Sequence, residues 1–442
     1  MGVAGSRVEE PLALTGGPKA ITRDPGDIFA WPIVTEEDER AVLEVLRAGK
    51  MSDTDVTRQV EAEVATWQGR RFALAHCNGT AALQAAMYAV GVRRGDEVIC
   101  PAMTYWASGL PALTLGAVVV WADIQRHTLC LDPADLARRI TERTKAIVVV
   151  HYAGHPAEMD EIMAVADAHG VAVIEDVSHA HGGLYRGRKL GNFGQVAAMS
   201  MMSGKSLPIG EGGMLVTDER EIYERAIAWG HYERHEELTL PELRAAAGLP
   251  WGAVKHRINQ LASAMGRVQL RHYDRRNAEI LKAMHYFWDQ VEPTPGVRPH
   301  RPPRDSGSEM GGWYHPRGLY LAEELGGLPL ERFCQALQAE GFPAKPGANF
   351  PLHTHPLVNE VDIYGDGRPT VLAQSRRGRG GESGGDEPTQ VAGPAPVRLP
   401  VAEAIDQFCF SVPWFKHYRP EVIDEYALAL KKVAAHADEL RG

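Results

Sequence analysis

Four short apolar runs constrain what this chain can fold into. They are Asp96–Cys100 (DEVIC), Ala117–Ala122 (AVVVWA), Ala146–His151 (AIVVVH) and Val171–Glu175 (VAVIE). Each is rich in β-branched side chains and shows no apolar–polar alternation, so both faces of each strand must be covered. Segments with helical spacing accompany them: Glu36–Gly49 and Gly79–Val90 upstream, then Pro133–Ile140 and Met159–His169 between the later runs. Strand and helix in turn imply βαβ units. The expectation is an α/β fold with a mostly parallel central sheet and helices on its faces.

A chain of 442 residues is too long for one ordinary core. The βαβ rhythm stops near residue 270. The division read from the sequence is an N-terminal segment (1–30), a large domain (31–270) and a smaller C-terminal α+β domain (271–442). A charged helix over Arg271–Val291 would join the two domains, and a helix over Glu421–Leu440 would close the chain. Gln374–Val397 (QSRRGRGGESGGDEPTQVAGPAPV) is low-complexity, cannot bury a core and is expected to be a disordered loop.

Charge and composition exclude several classes. Lys+Arg number 47 against 57 Asp+Glu, a net charge of −10, which argues against nucleic-acid or anionic-membrane partners. No apolar run reaches the about 18 residues of a membrane span. The N-terminus has no signal-peptide pattern. MGVAGS fits a loose myristoylation pattern, of a kind that arises often by chance. Five scattered cysteines form no CxxC pair, which points to free thiols in the cytoplasm.

Four stretches could carry chemistry. In CNGTAAL, Asn78, Gly79 and Thr80 open a helix whose first N–H groups could hold a phosphate, although these residues taken alone read more simply as a plain N-cap. In VIEDVSH, Asp176 ends a buried strand, where open α/β sheets place ligands, and His179 follows three residues on. A carboxylate there could hold a protonated ring nitrogen, or simply cap a helix. In TYWAS, Tyr105 and Trp106 could stack on a flat ring or pack in the core. In SMMSGKSLPIGEGG, Lys205 is a lone cation among small residues, with Ser200 five positions earlier. A desolvated lysine has a lowered pKa and can form a Schiff base, whereas a solvated loop lysine is the plain alternative. The P-loop pattern GxxxxGK[ST] fails, because Met199 stands where its first glycine is required. No Cys or carboxylate spacing supports a metal site at His151, His155, His353 or His355. His231, in GHYER, is expected to line the substrate entrance. Phosphate donors, a stacking aromatic, an acid for a pyridine nitrogen and a lysine together describe a site for pyridoxal 5′-phosphate (PLP).

With these landmarks in order (NGTAAL, GDEVICPAMTYWAS, VVVHYAGHPAEMD, VIEDVSHAHGGLYRGRKLGNFG and the Lys205 loop), the chain resembles the DegT/StrS family of sugar aminotransferases, which have fold type I, like aspartate aminotransferase. The resemblance implies a Schiff base on Lys205, which also shuttles a proton, and Asp176 against the pyridinium nitrogen. It implies His179 on the ring hydroxyl, Tyr105 stacked on the ring, and Gly79, Thr80 and Ser200 at the phosphate. Two places depart from the family pattern. Lys255 replaces an asparagine that reaches the neighbouring subunit's cofactor phosphate, and Met199 and Met201 replace the phenylalanines flanking the phosphate serine.

What the resemblance implies is a ping-pong transfer of an amino group from glutamate or glutamine to a keto sugar, nucleotide-linked, or a keto cyclitol. Such products serve amino-sugar or aminoglycoside-type antibiotic biosynthesis. A homodimer with shared active sites is implied as well. Two competing readings remain at this point: a PLP-dependent dehydratase or aromatising enzyme of the same family, and a non-catalytic regulatory homologue. Lys205 speaks against the dehydratases, which carry histidine at that position.

Overall fold

The structure, a computed structural model, describes residues 7–363, 365, 367 and 397–441. The MGVAGS hexapeptide and the low-complexity stretch up to residue 396 lie outside the described residues.

The strands are Phe72–His76 (β1), Glu97–Pro101 (β2), Val118–Ala122 (β3), Thr144–Val150 (β4) and Ala172–Asp176 (β5). A short pair, Leu184–Tyr185 (β6) and Arg188–Lys189 (β7), follows, then Val196–Ser200 (β8) and Gly213–Thr217 (β9). The last three are Val297–Pro299 (β10), Arg317–Tyr320 (β11) and Cys409–Ser411 (β12). Seven form the central sheet, in the order β1-β9-β8-β5-β4-β2-β3. β2, β3, β4, β5 and β8 run parallel, and β9 is antiparallel to both its neighbours. The mostly parallel α/β architecture is therefore as the sequence implies.

The four apolar runs become β2 to β5, within one or two residues. β1 (FALAH) and β8 (VAAMS) carry no such signal, because alanine has little strand preference; they are strands because both faces are covered by the fold.

The connecting helix differs from expectation. It spans Gln260–Val291 and does not begin at Arg271. Asn259 caps it by accepting the Ala262 N–H at 2.9 Å. The Gln260 side chain then accepts the Val56 N–H and donates to the Lys50 carbonyl, both at 2.6 Å. These tertiary bonds fix a start that charge patterning hides. The closing helix is also shorter than expected, Pro420–Ala435.

Buried apolar residues fall into two clusters. One lies between the sheet and its helices; the other gathers Phe287, Trp288, Phe333, Phe342, Phe410 and Phe415. Leu12, Ala20 and Ile28 belong to the second cluster. The long helix serves both: Leu270 and Tyr273 face the first, and Ile280 to Val291 the second.

Candidate active site

A cavity of about 530 Å³ opens beyond the carboxyl ends of β4, β5 and β8, where parallel sheets present their ligand sites. Asn78, Gly79, Thr80, Tyr105, Asp176, His179, Ser200 and Lys205 all line it. Residues more than 120 positions apart in sequence thus meet in one place.

Asp176 is the last residue of β5. Its carboxylate accepts the Ser108 hydroxyl at 2.7 Å and the Ser178 N–H at 3.0 Å. Glu175 points to the other face of the sheet, as successive strand residues must. It accepts the N–H groups of Gly191 and Phe193 at 2.7 Å and of Gly194 at 2.8 Å, and meets His151 Nε2 at 3.1 Å. His151 Nδ1 accepts the Ala157 N–H at 3.1 Å, so the imidazole proton sits on Nε2 and is given to Glu175. The end of β5 is therefore locked from behind.

Lys205 rides on a loop closed upon itself. Met201 N–H donates to Gly212, Ile209 N–H to Met201, and Lys205 N–H to Met202, each at 2.8 Å. The Trp31 indole donates to the Lys205 carbonyl at 2.8 Å. The lysine side chain is buried, and burial lowers its pKa to about 8, against the pull of Asp176. At neutral pH a useful fraction of it is uncharged amine, which a nucleophile requires.

His179 is buried too. Burial first, and the Lys205 charge second, hold its pKa well below the ordinary histidine value. Its Nδ1 accepts the Ala153 N–H at 3.3 Å, which leaves the proton of the neutral ring on Nε2. Tyr105 lines the cavity but is 50% exposed, with its ring 5.2 Å from that of Trp106.

At the other end of the cavity the helix Gly79–Ala89 begins. Asn78 is its cap, accepting the Ala81 N–H at 2.8 Å. The N–H groups of Gly79 and Thr80 belong to the first turn, which has no intrahelical acceptors. Gly79 has to be glycine: a Cβ there would lie 2.6 Å from the Ser200 Cβ. A Cβ on Gly213 would lie 2.3 Å from the Asn78 carbonyl oxygen. These two contacts press the helix start against β8 and β9. Helix-start amides and two hydroxyls at one end, a hydrogen-bonded carboxylate and a lysine of lowered pKa fit PLP by the chemistry of the set.

Several residues that line the cavity escaped the sequence reading. Tyr152, Tyr314, His315, Arg317 and Asn349 form its outer wall, and Ser108 and Ser178 support its floor. Tyr314 to Arg317 arrive through a stretch in which Trp313 and His315 hold left-handed backbone, φ 54° and 52°. No periodicity or motif marks such a strap in sequence.

Lys255 is exposed and does not line this chain's cavity. One reading changes. His231 is not at an entrance; it is buried, edge-on to His76 with 4.9 Å between ring centroids, because the turn after its helix folds inward. His353 pairs with Glu403 at 3.1 Å, and His355 caps the Leu357 N–H at 3.1 Å, both structural uses. Among the described residues no helix is long and apolar enough to cross a membrane.

Comparison with known proteins agrees with this geometry. The profile of the DegT/DnrJ/EryC1/StrS aminotransferase family matches residues 32–373. An L-glutamine:2-deoxy-scyllo-inosose aminotransferase of Streptoalloteichus tenebrarius is 33% identical over 97% of this chain and 99% of its own. An L-glutamine:scyllo-inosose aminotransferase of Streptomyces griseus is 32% identical over 79% of this chain and 84% of its own. In three dimensions, an aminotransferase from Psychrobacter cryohalolentis superposes with a TM-score of 0.76 at 25% identity, covering 92% of this chain and 99% of the other. With the lysine, the carboxylate and the helix-start cradle in one cavity, and with these matches along most of its length, the chain belongs to the DegT/DnrJ/EryC1/StrS family and is a PLP-dependent aminotransferase of fold type I.

Proposed function

We propose that this enzyme takes the amino group of L-glutamine and places it on the ketone of a carbocyclic polyol, a keto cyclitol of the scyllo-inosose type. The observation that carries the substrate class is the nearly full-length similarity to a glutamine:2-deoxy-scyllo-inosose aminotransferase.

PLP, when bound, supplies an aldehyde for the amine and a ring that withdraws electrons. The chain's own residues do the rest. Thr80, Ser200 and the first-turn amides hold the phosphate. Asp176, oriented by Ser108 and Ser178, keeps a proton on the ring nitrogen. His179 donates its Nε2 proton to the ring oxygen, and Tyr105 covers the ring face. Lys205 Nζ takes the proton from the donor's Cα and delivers it again, for which a pKa of about 8 suits it near neutral pH.

The working form in this reading is a homodimer in the cytoplasm, with Lys255 turned toward the neighbouring subunit's phosphate. Its exposure outside its own cavity supports that role, as do the five free thiols for the compartment. A division into two domains near residue 270 accords with the two core clusters.

The test is a pair of half-reactions. The PLP-loaded enzyme should lose its yellow colour with L-glutamine, and the resulting form should aminate scyllo-inosose, seen by mass spectrometry. Turnover of a nucleotide-linked keto sugar with none of the cyclitol would replace the proposed acceptor.

A further inference from the structure

We propose that Trp31 is a positioning residue for Lys205: its indole N–H holds the backbone on which the reacting amine is mounted, and so makes the N-terminal segment part of the active site. The assignment rests on the transaminase reading above, which gives Lys205 the proton transfers of both half-reactions.

Trp31 Nε1 donates to the Lys205 carbonyl at 2.8 Å, across 174 positions of sequence. Among the described residues no other donor reaches that carbonyl. A tryptophan in this protein does not have to spend its N–H: those of Trp121, Trp288, Trp313 and Trp414 are buried and meet no acceptor. Trp414 is the ring beside Trp31, 5.8 Å away between centroids. The bond to Lys205 is particular to Trp31.

The backbone around Lys205 depends on that bond. On its amino side, Lys205 N–H closes onto the Met202 carbonyl at 2.8 Å. On its carboxyl side, Ser206 Oγ lies 3.1 Å from His181 Nδ1 and 3.3 Å from the Tyr273 hydroxyl, which donates to the His181 carbonyl at 2.6 Å. Without the indole, the peptide between Lys205 and Ser206 keeps only those side-chain contacts. The flexible four-carbon stem of a lysine magnifies any rotation of its backbone at the amine, and a misplaced reacting atom costs rate steeply.

The far end of the side chain is held by the same group of rings. Trp414 meets Tyr314 edge-on at 5.9 Å, and Tyr314 covers Lys205 Nζ at 3.8 Å. Trp31, Trp414 and Tyr314 form one run of contacts that takes Lys205 by its carbonyl at one end and by its amine at the other.

Trp31 is itself tied down on both sides. Before it, Glu340 accepts the N–H groups of Ala13 at 2.8 Å and Ala20 at 2.7 Å and pairs with Lys432 Nζ at 3.0 Å, both side chains fully buried. Glu425 accepts the N–H groups of Thr22 at 2.7 Å and Arg23 at 2.9 Å. Lys416 N–H donates to the Ile28 carbonyl at 2.9 Å, and Phe29 stacks on Phe415 at 5.8 Å. After it, Gln269 Nε2 donates to the Ile33 carbonyl at 3.0 Å and to Asp38 at 2.7 Å. A chain end is loose unless bonds of this kind hold it, and a buried ion pair is costly to build. Here they fix the approach of one indole to the lysine loop.

The experiment compares wild type, Trp31→Phe and a protein carrying β-(3-benzothienyl)alanine at position 31, which keeps the shape of the indole and lacks its N–H. In the cofactor-free proteins, amide hydrogen exchange in the peptide spanning 201–212 should be at least about threefold faster in both variants than in wild type. In the PLP-loaded proteins, the limiting rate of stopped-flow bleaching by L-glutamine should fall by roughly 10- to 100-fold. Bleaching by scyllo-inosamine, the reverse half-reaction, should fall by the same factor, because one lysine serves both. The half-saturating concentrations should stay within about threefold of wild type. A benzothienyl variant that exchanges and bleaches like wild type would overturn the proposal even if Trp31→Phe does not fold. Loss confined to one half-reaction, or a shift in half-saturation alone, would make Trp31 a substrate contact and overturn it too. Faster exchange with both bleaching rates intact would remove this assignment only, whereas a wild type bleached by no amino acid would remove the transaminase reading and the proposal with it.

Discussion

Lys205 Nζ lies 3.8 Å from the centroid of the Tyr314 ring. The ring does two opposed things. Its apolar bulk keeps water from the amine, which favours the neutral form, and its negative face attracts the ammonium, which favours the charged form. Burial as a whole lowers the pKa to about 8 against the pull of Asp176.

Tyr314 substitutions separate these effects. Tyr314→Leu keeps the cover and removes the aromatic face, so the midpoint of the pH dependence of PLP capture should fall by about half a unit to one unit. Tyr314→Ala admits water and should move the midpoint upward. The rate of colour formation by the cofactor-free protein, followed across pH, distinguishes the two.

Lys205 also makes stability depend on pH. Its folded pKa lies below the ordinary 10.5, so between about 8 and 10.5 the unfolded chain binds more protons than the folded one. The cofactor-free protein should gain stability from this group as pH rises through that window. Lys205→Met should be more stable than wild type at pH 7, by up to roughly 3 kcal/mol, and the advantage should vanish toward pH 10.5. Chemical denaturation of both cofactor-free proteins at several pH values measures this.

Asp176→Asn removes the charge while keeping the shape. The glutamine half-reaction should slow by roughly 10²- to 10³-fold, with cofactor still bound through its phosphate. Ser108→Ala removes only one orienting hydrogen bond and should cost about tenfold or less. Single-turnover bleaching rates compare the two.

Glu175 should be felt in acid. Burial alone would raise its pKa, but His151 and the amides of Gly194 and Gly191 outweigh it and hold the carboxyl below its ordinary value. Its contribution is present above the ordinary value and is lost as pH falls through the lower folded one. Glu175→Gln weakens charge-assisted hydrogen bonds without leaving a charge unpaired, so it should destabilise the protein by roughly 1–3 kcal/mol at pH 7 and flatten the loss of stability below about pH 4.5. Thermal unfolding against pH gives both numbers.

Gly79→Ala should separate the helix start from β8. The added Cβ meets Ser200 Cβ at 2.6 Å and its Cα at 2.9 Å, and neither is a flexible end. A loss of about 1–3 kcal/mol and a clearly weaker PLP affinity are expected. Asn78→Ala, which removes the cap, should cost about 1 kcal/mol. Tm and PLP titration of the two variants test the contrast.

Much of the site was legible in the chain itself, because it depends on local order. A strand that is apolar on both faces must end somewhere, and the polar residue at its end, Asp176, faces the ligand edge of the sheet. A glycine before a helix, Gly79, and a lysine among small residues, Lys205, carry the chemistry of their own few neighbours. The alanine-built strands β1 and β8 did not announce themselves, and neither did the first turns of the helix Gln260–Val291, since burial and long-range bonds rather than propensity decide them.

The α/β sheet, the cofactor class and the residues at the inner end of the cavity can be read from the chain alone. The outer wall is a product of packing. Tyr152, Tyr314, Arg317 and Asn349 come from segments with no shared period, and what each can do is set by its neighbours: a ring over an amine, or a tyrosine hydroxyl given to an asparagine. A side chain's pKa and its free donors are properties of what surrounds it, and those surroundings exist only once distant parts of the chain are packed together.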